Sequence, residues 1–239
     1  MYPRTERKRN MEQEDINFSD FIASSTHDMK NSLNIQSGFL EELMVECRDK
    51  IDPAMLTRLG QMIYESSRMN VNLIQILSLY KLGKSIYPID IAEQSVNELL
   101  DEIVMQNQAI MGYKGITLSV DCTGDCYWYF DRDLLTGVLI NALNNAYNYT
   151  KDKIHIIAHV KDGMLEIRVE DNGRGYPKSM LLENVADNKG VSFSTGSTGL
   201  GFYFSSQVAG MHKNAGKQGR LAIENGGTFG GGCFVLSLP

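Results

Sequence analysis

His27 is the first residue whose chemistry stands out in the sequence. It lies in a predicted helix but off the apolar seam of that helix, so it is expected to face outward. Asp28 follows directly, and Asn31 lies one turn further along the same face. An imidazole, with a pKa of about 6.5, is mostly neutral and nucleophilic at neutral pH, and an adjacent carboxylate can stabilise the charge that develops on it. The competing interpretation is that His27 is an ordinary histidine, solvated on the helix surface, with no chemical role.

A second predicted helix, over residues 134–149, contains a cluster of asparagines. Asn141 and Asn145 are four residues apart, with Asn144 and Asn148 beside them. Asparagine is a poor helix former, so the cluster weakens the helix and suggests a use. An amide oxygen is a hard, neutral ligand that suits Mg²⁺ bound to anionic phosphates. An ordinary polar helix face would explain the cluster about equally well.

A glycine-containing loop follows a predicted strand at Asp171. Gly173 and Gly175 lie at alternate positions behind it, where they allow the backbone to approach a ligand closely. A carboxylate at the end of a strand can accept a hydrogen bond from an exocyclic amine such as that of adenine. Taken alone, the segment is equally consistent with a simple turn.

A third segment opens a predicted helix over residues 200–211. Its residues are Gly196, Thr198, Gly199, Leu200 and Gly201, with Ser197 among them. The unpaired backbone N–H groups at the start of a helix form a natural phosphate site. The segment is not a P-loop, because no Gly-Lys-Ser/Thr follows, and its glycine order differs from that of a dinucleotide fingerprint.

Two long amphipathic helices are predicted at the start of the chain, and the first of them contains His27. Apolar residues from Phe18 to Cys47 form one seam, and a more regular heptad seam follows Asp52 and Pro53, which suit a helix start. The second seam consists of Met55, Leu59, Met62, Ser66, Met69, Leu73, Ile76 and Tyr80. Two helices cannot enclose a core alone, so we expect a homodimer in which two α-helical hairpins complete a four-helix bundle.

The pattern changes at about residue 85 to mixed strands and helices. Fourteen of the 22 glycines lie between Gly173 and Gly232, so loops are expected there. Strands are predicted near residues 89–91, 116–120, 126–130, 154–160, 164–169, 220–224 and 233–238, and helices over 94–111, 134–149 and 200–211. The second and third strands flank a turn at Thr123 and Gly124. This order predicts an α+β two-layer sandwich.

Composition excludes several classes of protein. The chain has 239 residues, a net charge of −6 and 22% charged residues, which are ordinary globular values. No apolar run is long enough for a membrane span, the first residues do not form a secretory signal, and no dense basic face suggests nucleic-acid binding. The four cysteines match no zinc pattern, so we expect a reduced, cytoplasmic chain.

Taken together, the segments resemble the sequence boxes of sensor histidine kinases of two-component systems. The string starting at His27 resembles the phospho-acceptor H-box, and residues 141–150 are similar to the N-box. The Asp171 and Gly196 segments resemble the two glycine boxes. The resemblance covers residues from about 18 to the C-terminus, with the four boxes in the family's order.

The resemblance implies a domain order and a reaction. A flexible segment over residues 1–17 precedes a dimerisation and phosphotransfer hairpin over 18–84, and an ATP-binding domain of the Bergerat type covers 85–239. His27 is the expected phospho-acceptor, with Asp28 and Asn31 as catalytic neighbours. The expected ATP-binding residues are Asn141, Asn145, Tyr149, Asp171, Gly173, Gly175, Gly196, Thr198, Gly199, Leu200 and Gly201. Asn145 is the expected Mg²⁺ ligand.

The family also implies partners. His27 would be phosphorylated from Mg-ATP and would pass the phosphoryl group to an aspartate of a response regulator receiver domain, with a regulator phosphatase activity assisted by Asn31. Because the boxes use nearly the whole chain, the input to a natural full-length chain is expected from a separate soluble sensor protein, for which a haem-based gas sensor is one candidate. The alternative is that the chain is the core of a longer kinase.

Two positions depart from the family pattern. Ser32 stands where the H-box usually has proline, and Asn148 stands where the N-box usually has Lys or Arg. Loss of that cation should weaken the phosphate contact unless Arg174, Lys178 or Lys189 compensates. A histidine phosphotransferase or phosphatase with degenerate kinase activity is therefore the alternative.

Overall fold

The computed structural model describes residues 4–47, 50–84, 87–182 and 199–239. Two long helices, α1 (Arg4–Cys47) and α2 (Pro53–Gly83), come first. The helices that follow are α3 (Val96–Tyr113), α4 (Arg132–Tyr149), α5 (Lys178–Leu182) and α6 (Leu200–Met211). The strands are β1 (Ala92–Ser95), β2 (Thr117–Cys122), β3 (Tyr127–Phe130), β4 (Lys153–Lys161), β5 (Met164–Asp171), β6 (Lys213–Asn214), β7 (Lys217–Gln218), β8 (Arg220–Gly226) and β9 (Gly231–Leu238).

The first two helices form the predicted hairpin. Asp52 caps α2 by accepting a hydrogen bond from the backbone N–H of Ala54 over 2.8 Å, directly before Pro53. Leu40 and Met44 of α1 pack on Ile63 of α2 in a small apolar core. The helix α1 begins at Arg4, so it includes most of residues 1–17, for which a flexible segment is predicted.

The heptad seam of α2 divides into two halves. Four members, spaced seven residues apart, are about half exposed, at 45% to 54%: Met55, Met62, Met69 and Ile76. The alternate members are partly or fully buried: Leu59, Ser66, Leu73 and Tyr80. Ser66 is tied to α1, where its hydroxyl accepts from Ser37 and donates to the carbonyl oxygen of Leu33. One half of the seam therefore holds the hairpin together, and the other half forms an exposed apolar stripe.

The C-terminal part is the predicted two-layer sandwich. A five-stranded sheet has the order β2-β4-β5-β9-β8, in which β2 and β4 are parallel and the other pairs are antiparallel. Alternate residues of β4 and β5, such as Ile156 and Ile167, are fully buried in one core with residues of α3, α4 and α6. The opposite face carries polar groups, among them an ion-paired cluster around Arg168. Helices thus cover one face of the sheet.

The two strands on either side of the turn at Thr123 and Gly124 do not pair with each other. The strands near 116–120 and 126–130 flank a turn, but β2 joins β4 in the large sheet, whereas β3 pairs with β1 in a separate two-stranded sheet. A parallel pair needs a long connection, and here β3 and α4 lie between the two partners. The predicted strand at 89–91 also falls just before the observed β1, while the hairpin turn at Asp162 and Gly163 is confirmed by positive φ angles of 53° and 68°.

The hairpin packs directly on the sandwich through α2. Tyr64 stacks on Tyr147 of α4 with ring centroids 3.9 Å apart. Gly60 approaches α3 so closely that a Cβ there would lie 3.0 Å from Cβ of Tyr113. These contacts place one face of α2 against the asparagine-rich helix α4 and the end of α3. None of the described helices combines the length and apolarity needed to cross a bilayer.

Candidate functional site

The site is built around α4. Asp131 caps this helix by accepting a hydrogen bond from the N–H of Leu134 over 3.0 Å, and the apolar side of the helix is buried against the sheet. The asparagines lie on its other side, toward α2 and α6. The helix therefore presents amide groups between two other helices.

Asn141 connects three helices. Its Oδ1 accepts a hydrogen bond from Nε2 of Gln75 in α2 over 2.8 Å. Its Nδ2 donates to the carbonyl oxygen of Gly201 over 2.8 Å and to the hydroxyl of Ser205 over 3.4 Å, both in α6. Both ends of the amide are therefore engaged within the protein, so Asn141 acts as a connector in this arrangement.

Asn148 is also tied to the hairpin. Its Nδ2 donates to the hydroxyl of Tyr64 over 3.0 Å, and that hydroxyl lies 3.2 Å from the carbonyl oxygen of Asn144, to which it donates. Burial raises the pKa of Tyr64, while the hydrogen bond from Asn148 and the charge of Arg68 act in the opposite direction. The phenol therefore stays protonated and able to donate. Asn145, between these two asparagines, is half-buried.

Asp171 ends β5 with a nearly buried carboxylate, 7% exposed. Its Oδ1 accepts hydrogen bonds from the N–H groups of Gly173 over 2.6 Å and Gly232 over 3.3 Å. A Cβ on Gly173 would lie 2.0 Å from the carbonyl oxygen of Tyr149, so only glycine fits there. The loop is thereby drawn tightly against the end of α4.

The loop continues through a left-handed turn at Gly175, whose φ is 74°. Asn225 of β8 then holds the next residue, Tyr176, from both sides: its Oδ1 accepts from the backbone N–H over 2.6 Å, and its Nδ2 donates to the carbonyl oxygen over 2.8 Å. Burial, followed by the nearby Asp171 carboxylate, raises the pKa of the Tyr176 phenol. The loop is thus fixed beside the carboxylate.

Two adjoining cavities open between these segments. The inner cavity, about 100 Å³, is lined by Asn145, Tyr149, Asp171, Arg174, Gly175, Tyr176, Pro177, Met180, Phe202 and Gly232. The asparagine cavity, about 520 Å³, is lined by Arg68, Asn72, Asn141, Asn144, Asn145, Asn148, Tyr149, Gly199, Gly201 and Phe202. They share Asn145, Tyr149 and Phe202. A largely apolar pocket with one buried carboxylate therefore adjoins a polar pocket.

The start of α6 borders the asparagine cavity. Gly199 precedes the helix with a φ of 62°, and Leu200 and Gly201 form its first turn. The first N–H groups of an α-helix have no intrahelical partner and carry the positive end of the helix dipole. A Cβ on Gly201 would lie 2.9 Å from the amide of Asn141, so glycine permits this close packing. Gly196 and Thr198 lie outside the described residues.

The segment with His27 lies elsewhere. His27 is within α1, its side chain lies outside what the structure describes, and Asp28 and Asn31 are exposed. Thr26 and Lys30, on either side of it, line a third cavity of about 500 Å³ between the hairpin and the start of α4. This hairpin cavity shares no lining residue with the asparagine cavity. Among the described residues, the structure therefore brings together the asparagines of α4, the loop after Asp171 and the start of α6, and leaves the segment with His27 apart from them.

The side chains that could act as metal ligands indicate which kind of divalent cation fits this site. Within the described ranges, no cluster of three His, Cys, Asp or Glu side chains could hold a metal ion. Neutral amide oxygens, here represented by Asn145, suit a Mg²⁺ that arrives with its phosphates. The residues present therefore fit Mg²⁺ brought in by a ligand better than a resident metal.

Several lining residues were missed by sequence reasoning. Tyr176 and Phe202 directly follow the last glycines of the two glycine-containing segments. An aromatic residue immediately after such a glycine is the sequence signal that could have identified them. Gln75, Arg68 and Asn72 come from α2, far away in the sequence. The only signal for Gln75 is that it interrupts the apolar run from Leu73 to Leu79.

Comparisons with known proteins find similar sequences and a similar fold. Residues 130–239 match the family model described as histidine kinase-, DNA gyrase B- and HSP90-like ATPase. The chain is 30% identical over 201 residues to the phosphate regulon sensor protein PhoR of Pseudomonas aeruginosa, covering 81% of this chain and 45% of PhoR. It is 26% identical over 228 residues to the sensor-like histidine kinase SenX3 of Mycolicibacterium smegmatis, covering 92% of this chain and 57% of SenX3.

The chain thus spans about half the length of these curated relatives. Among solved structures, the histidine kinase AdeS of Acinetobacter baumannii has the same fold, with a TM-score of 0.56, 15% identity, and coverage of 87% of this chain and 95% of that one. The similarity therefore extends from the α/β sandwich into the helices that precede it.

Proposed function

Residues 130–239 belong to the histidine kinase-, DNA gyrase B- and HSP90-like ATPase family, within a chain that resembles sensor histidine kinases, and we propose that the protein phosphorylates its own His27 from Mg-ATP. In this proposal, residues 18–84 are the dimerisation and phosphotransfer hairpin, and residues 85–239 are the ATP-binding domain. The phosphoryl group then passes to an aspartate of a response regulator receiver domain.

The two adjoining cavities carry the proposal. The inner cavity offers apolar walls and one buried carboxylate, as an adenine ring requires, and the asparagine cavity offers amides and the start of α6, as a triphosphate requires. Because they share Asn145, Tyr149 and Phe202, a single nucleotide can occupy both. A site of this kind supports an ATP-dependent reaction.

Each side chain has a role in this proposal. Asp171 accepts a hydrogen bond from the exocyclic amine of adenine through Oδ2, since Oδ1 already accepts two backbone N–H groups. Tyr149 and Phe202 contact the nucleoside. The first N–H groups of α6, from Leu200 and Gly201, bind phosphate oxygens. The amide oxygen of Asn145 holds Mg²⁺, which when bound neutralises charge on the phosphates.

The chemistry at His27 is a phosphoryl transfer. One imidazole nitrogen attacks the γ-phosphorus with its lone pair, the bond to the bridging oxygen breaks, and ADP leaves with that electron pair. The other ring nitrogen keeps its proton and donates it in a hydrogen bond to the Asp28 carboxylate, which stabilises the positive ring. Asn31 positions water when the phosphoryl group of a regulator is hydrolysed instead.

The exposed stripe on α2 supports a dimer. Met55, Met62, Met69 and Ile76 repeat at seven-residue intervals and are about half exposed in a single chain. A heptad repeat of exposed apolar residues is covered when a second hairpin packs alongside. We therefore assign the four-helix bundle to two copies of this chain.

Incubation with γ-labelled Mg-ATP tests the function. The chain is expected to acquire an acid-labile, base-stable phosphate, and His27→Gln is expected to remove the label while nucleotide binding remains. Asn145→Ala is expected to remove Mg²⁺-dependent ATP binding, with Thr136→Ala in the same helix as the control. An acid-labile phosphate on His27→Gln would contradict the assignment of the acceptor.

Asn148 favours one alternative function. It stands where the family usually has a cation, so a chain that takes phosphate from a regulator without using ATP remains the competing proposal. That protein would accept label on His27 from a phosphorylated receiver domain but not from ATP. The same labelling experiment, run with both donors, separates the two.

A further inference from the structure

The asparagine cavity has an uneven charge distribution. Its described lining consists of neutral amides, glycines and two aromatic side chains, with Arg68 as the single charged side chain among them. A triphosphate carries several negative charges, and cations near it are the usual means of binding it. The cation of this cavity, Arg68, comes from α2 of the hairpin and so lies outside residues 130–239, which match the ATPase family.

Helix geometry places Arg68 beside Asn148. Arg68 lies four residues after Tyr64, on the same face of α2. Tyr64 in turn holds the amide of Asn148 over 3.0 Å and stacks on Tyr147. The guanidinium is therefore brought to the end of α4 where Asn148 offers only an uncharged amide.

The guanidinium is oriented but accessible. Its Nε and Nη2 lie 2.9 and 2.6 Å from the same Oε2 of Glu65, and the Arg68 side chain is 45% exposed. A guanidinium has five N–H donors, so an ion pair with one carboxylate oxygen leaves donors for a phosphate. The ion pair with Glu65 thus leaves part of the hydrogen-bonding capacity of Arg68 for a phosphate.

We propose that Arg68 is a nucleotide-binding residue that supplies, from the hairpin, the positive charge that Asn148 does not supply from the N-box segment. The proposal rests on the ATP site described above. It means that bound ATP bridges the two domains, because its base contacts the sandwich and its phosphates contact α2. The docked arrangement of the hairpin is then favoured when a nucleoside triphosphate is present.

Calorimetry with three ligands tests the proposal. Arg68→Gln is expected to weaken Mg-ATP binding about tenfold, which corresponds to about 1.4 kcal/mol, and to leave adenosine binding unchanged. Arg68→Lys, which keeps the charge, is expected to recover part of the loss, and the salt dependence of Mg-ATP binding is expected to fall in Arg68→Gln. Mg-ADP binding is expected to weaken less than Mg-ATP binding, because ADP carries less negative charge for the guanidinium to neutralise.

Two control variants separate binding from structure. Arg58→Gln removes an exposed cation from the same helix at a position that lines neither cavity, and is expected to bind Mg-ATP like the unmodified chain. Glu65→Gln removes the ion pair but keeps Arg68, and is expected to bind Mg-ATP at least as tightly.

The outcomes distinguish the two proposals. If the unmodified chain binds Mg-ATP and Arg68→Gln binds it equally well, the role of Arg68 is wrong and the ATP site stands. If Arg68→Gln loses adenosine and Mg-ATP binding in equal proportion, Arg68 acts through structure and the proposal is wrong. If the unmodified chain binds neither ligand, the ATP site itself is wrong, and the role of Arg68 fails with it.

Discussion

Gln75 of α2 donates a hydrogen bond from Nε2 to Oδ1 of Asn141 in α4 over 2.8 Å, and both side chains are buried, at 1% and 7% exposure. Nδ2 of Asn141 donates a second hydrogen bond to the carbonyl oxygen of Gly201 in α6. Gln75 also lines the hairpin cavity next to the H-box, while Asn141 lines the asparagine cavity. This one hydrogen bond therefore joins the wall of one cavity to the wall of the other.

The first prediction concerns this bond. Gln75→Ala leaves Oδ1 of Asn141 buried without its donor and is expected to lower the free energy of unfolding by roughly 1–3 kcal/mol. The loss should lie toward the lower end, since Oε1 of Gln75 is itself buried with no partner among the described residues. Urea unfolding measures it, with the exposed Gln61→Ala as the control.

A double-mutant cycle decides whether the pair is coupled. Gln75→Ala combined with Asn141→Ala is expected to cost less than the sum of the single changes, by about 0.5–3 kcal/mol. Strictly additive losses would show that the two side chains contribute independently and would contradict the connecting role.

The second prediction concerns base recognition by Asp171. In Asp171→Asn, Oδ1 can still accept from Gly173 and Gly232, so the new NH2 group takes the place of Oδ2. Two N–H donors would then face each other, and ATP affinity is expected to fall by about tenfold or more. Inosine triphosphate, which carries a carbonyl oxygen at that position, is expected to lose less.

Calorimetry with both nucleotides measures this preference. Asp121→Asn is the matched control, because that side chain is 80% exposed and lines neither cavity. An unchanged ratio of ATP to inosine triphosphate affinity in Asp171→Asn would show that the carboxylate does not contact the base.

The third prediction concerns pH and Glu170, which is buried at the end of β5. Burial alone would raise the pKa of its carboxyl, but hydrogen bonds from Thr228 and the ion pair with Arg168 outweigh it and lower the pKa. A lowered pKa in the folded state stabilises the fold fully above the unfolded pKa of about 4.3. That contribution to stability is lost as the pH falls through the lower pKa that Glu170 has in the folded state.

Urea unfolding at neutral and acidic pH tests this linkage. Glu170→Gln is expected to be less stable than the unmodified chain at pH 7, and the difference is expected to shrink as the carboxyl becomes protonated. Glu93→Gln, an exposed change in β1, provides the baseline. A difference that is constant with pH would contradict the assignment.

The fourth prediction concerns the exposed stripe of α2. Met62→Glu and Met69→Glu place charges in the proposed bundle interface and are expected to convert the dimer to a monomer in sedimentation experiments. Gln61→Glu adds the same charge at the neighbouring exposed position and should leave the dimer intact. Dimers that persist in both methionine variants would place the interface elsewhere.

Local elements of the fold were predictable. The hairpin, the cap at Asp52, the turn at Asp162 and helix α6 agree with the sequence patterns, because each depends on residues within a few positions of one another. The pairing of β2 with β4 was not predictable in this way, since a parallel partner is chosen by packing across a long connection.

The sequence alone determined which chemistry is present: a histidine with an adjacent carboxylate, an asparagine-rich helix, and glycines where a Cβ would collide with backbone, as at Gly173. Tertiary structure decided how these parts are connected. It placed Asn141 within hydrogen-bonding distance of Gln75, paired Asn148 with the hydroxyl of Tyr64, and placed Arg68 in the lining of the asparagine cavity. Such contacts depend on how α2 packs against α4, and two helices so distant in the chain leave no local pattern that encodes their relative position.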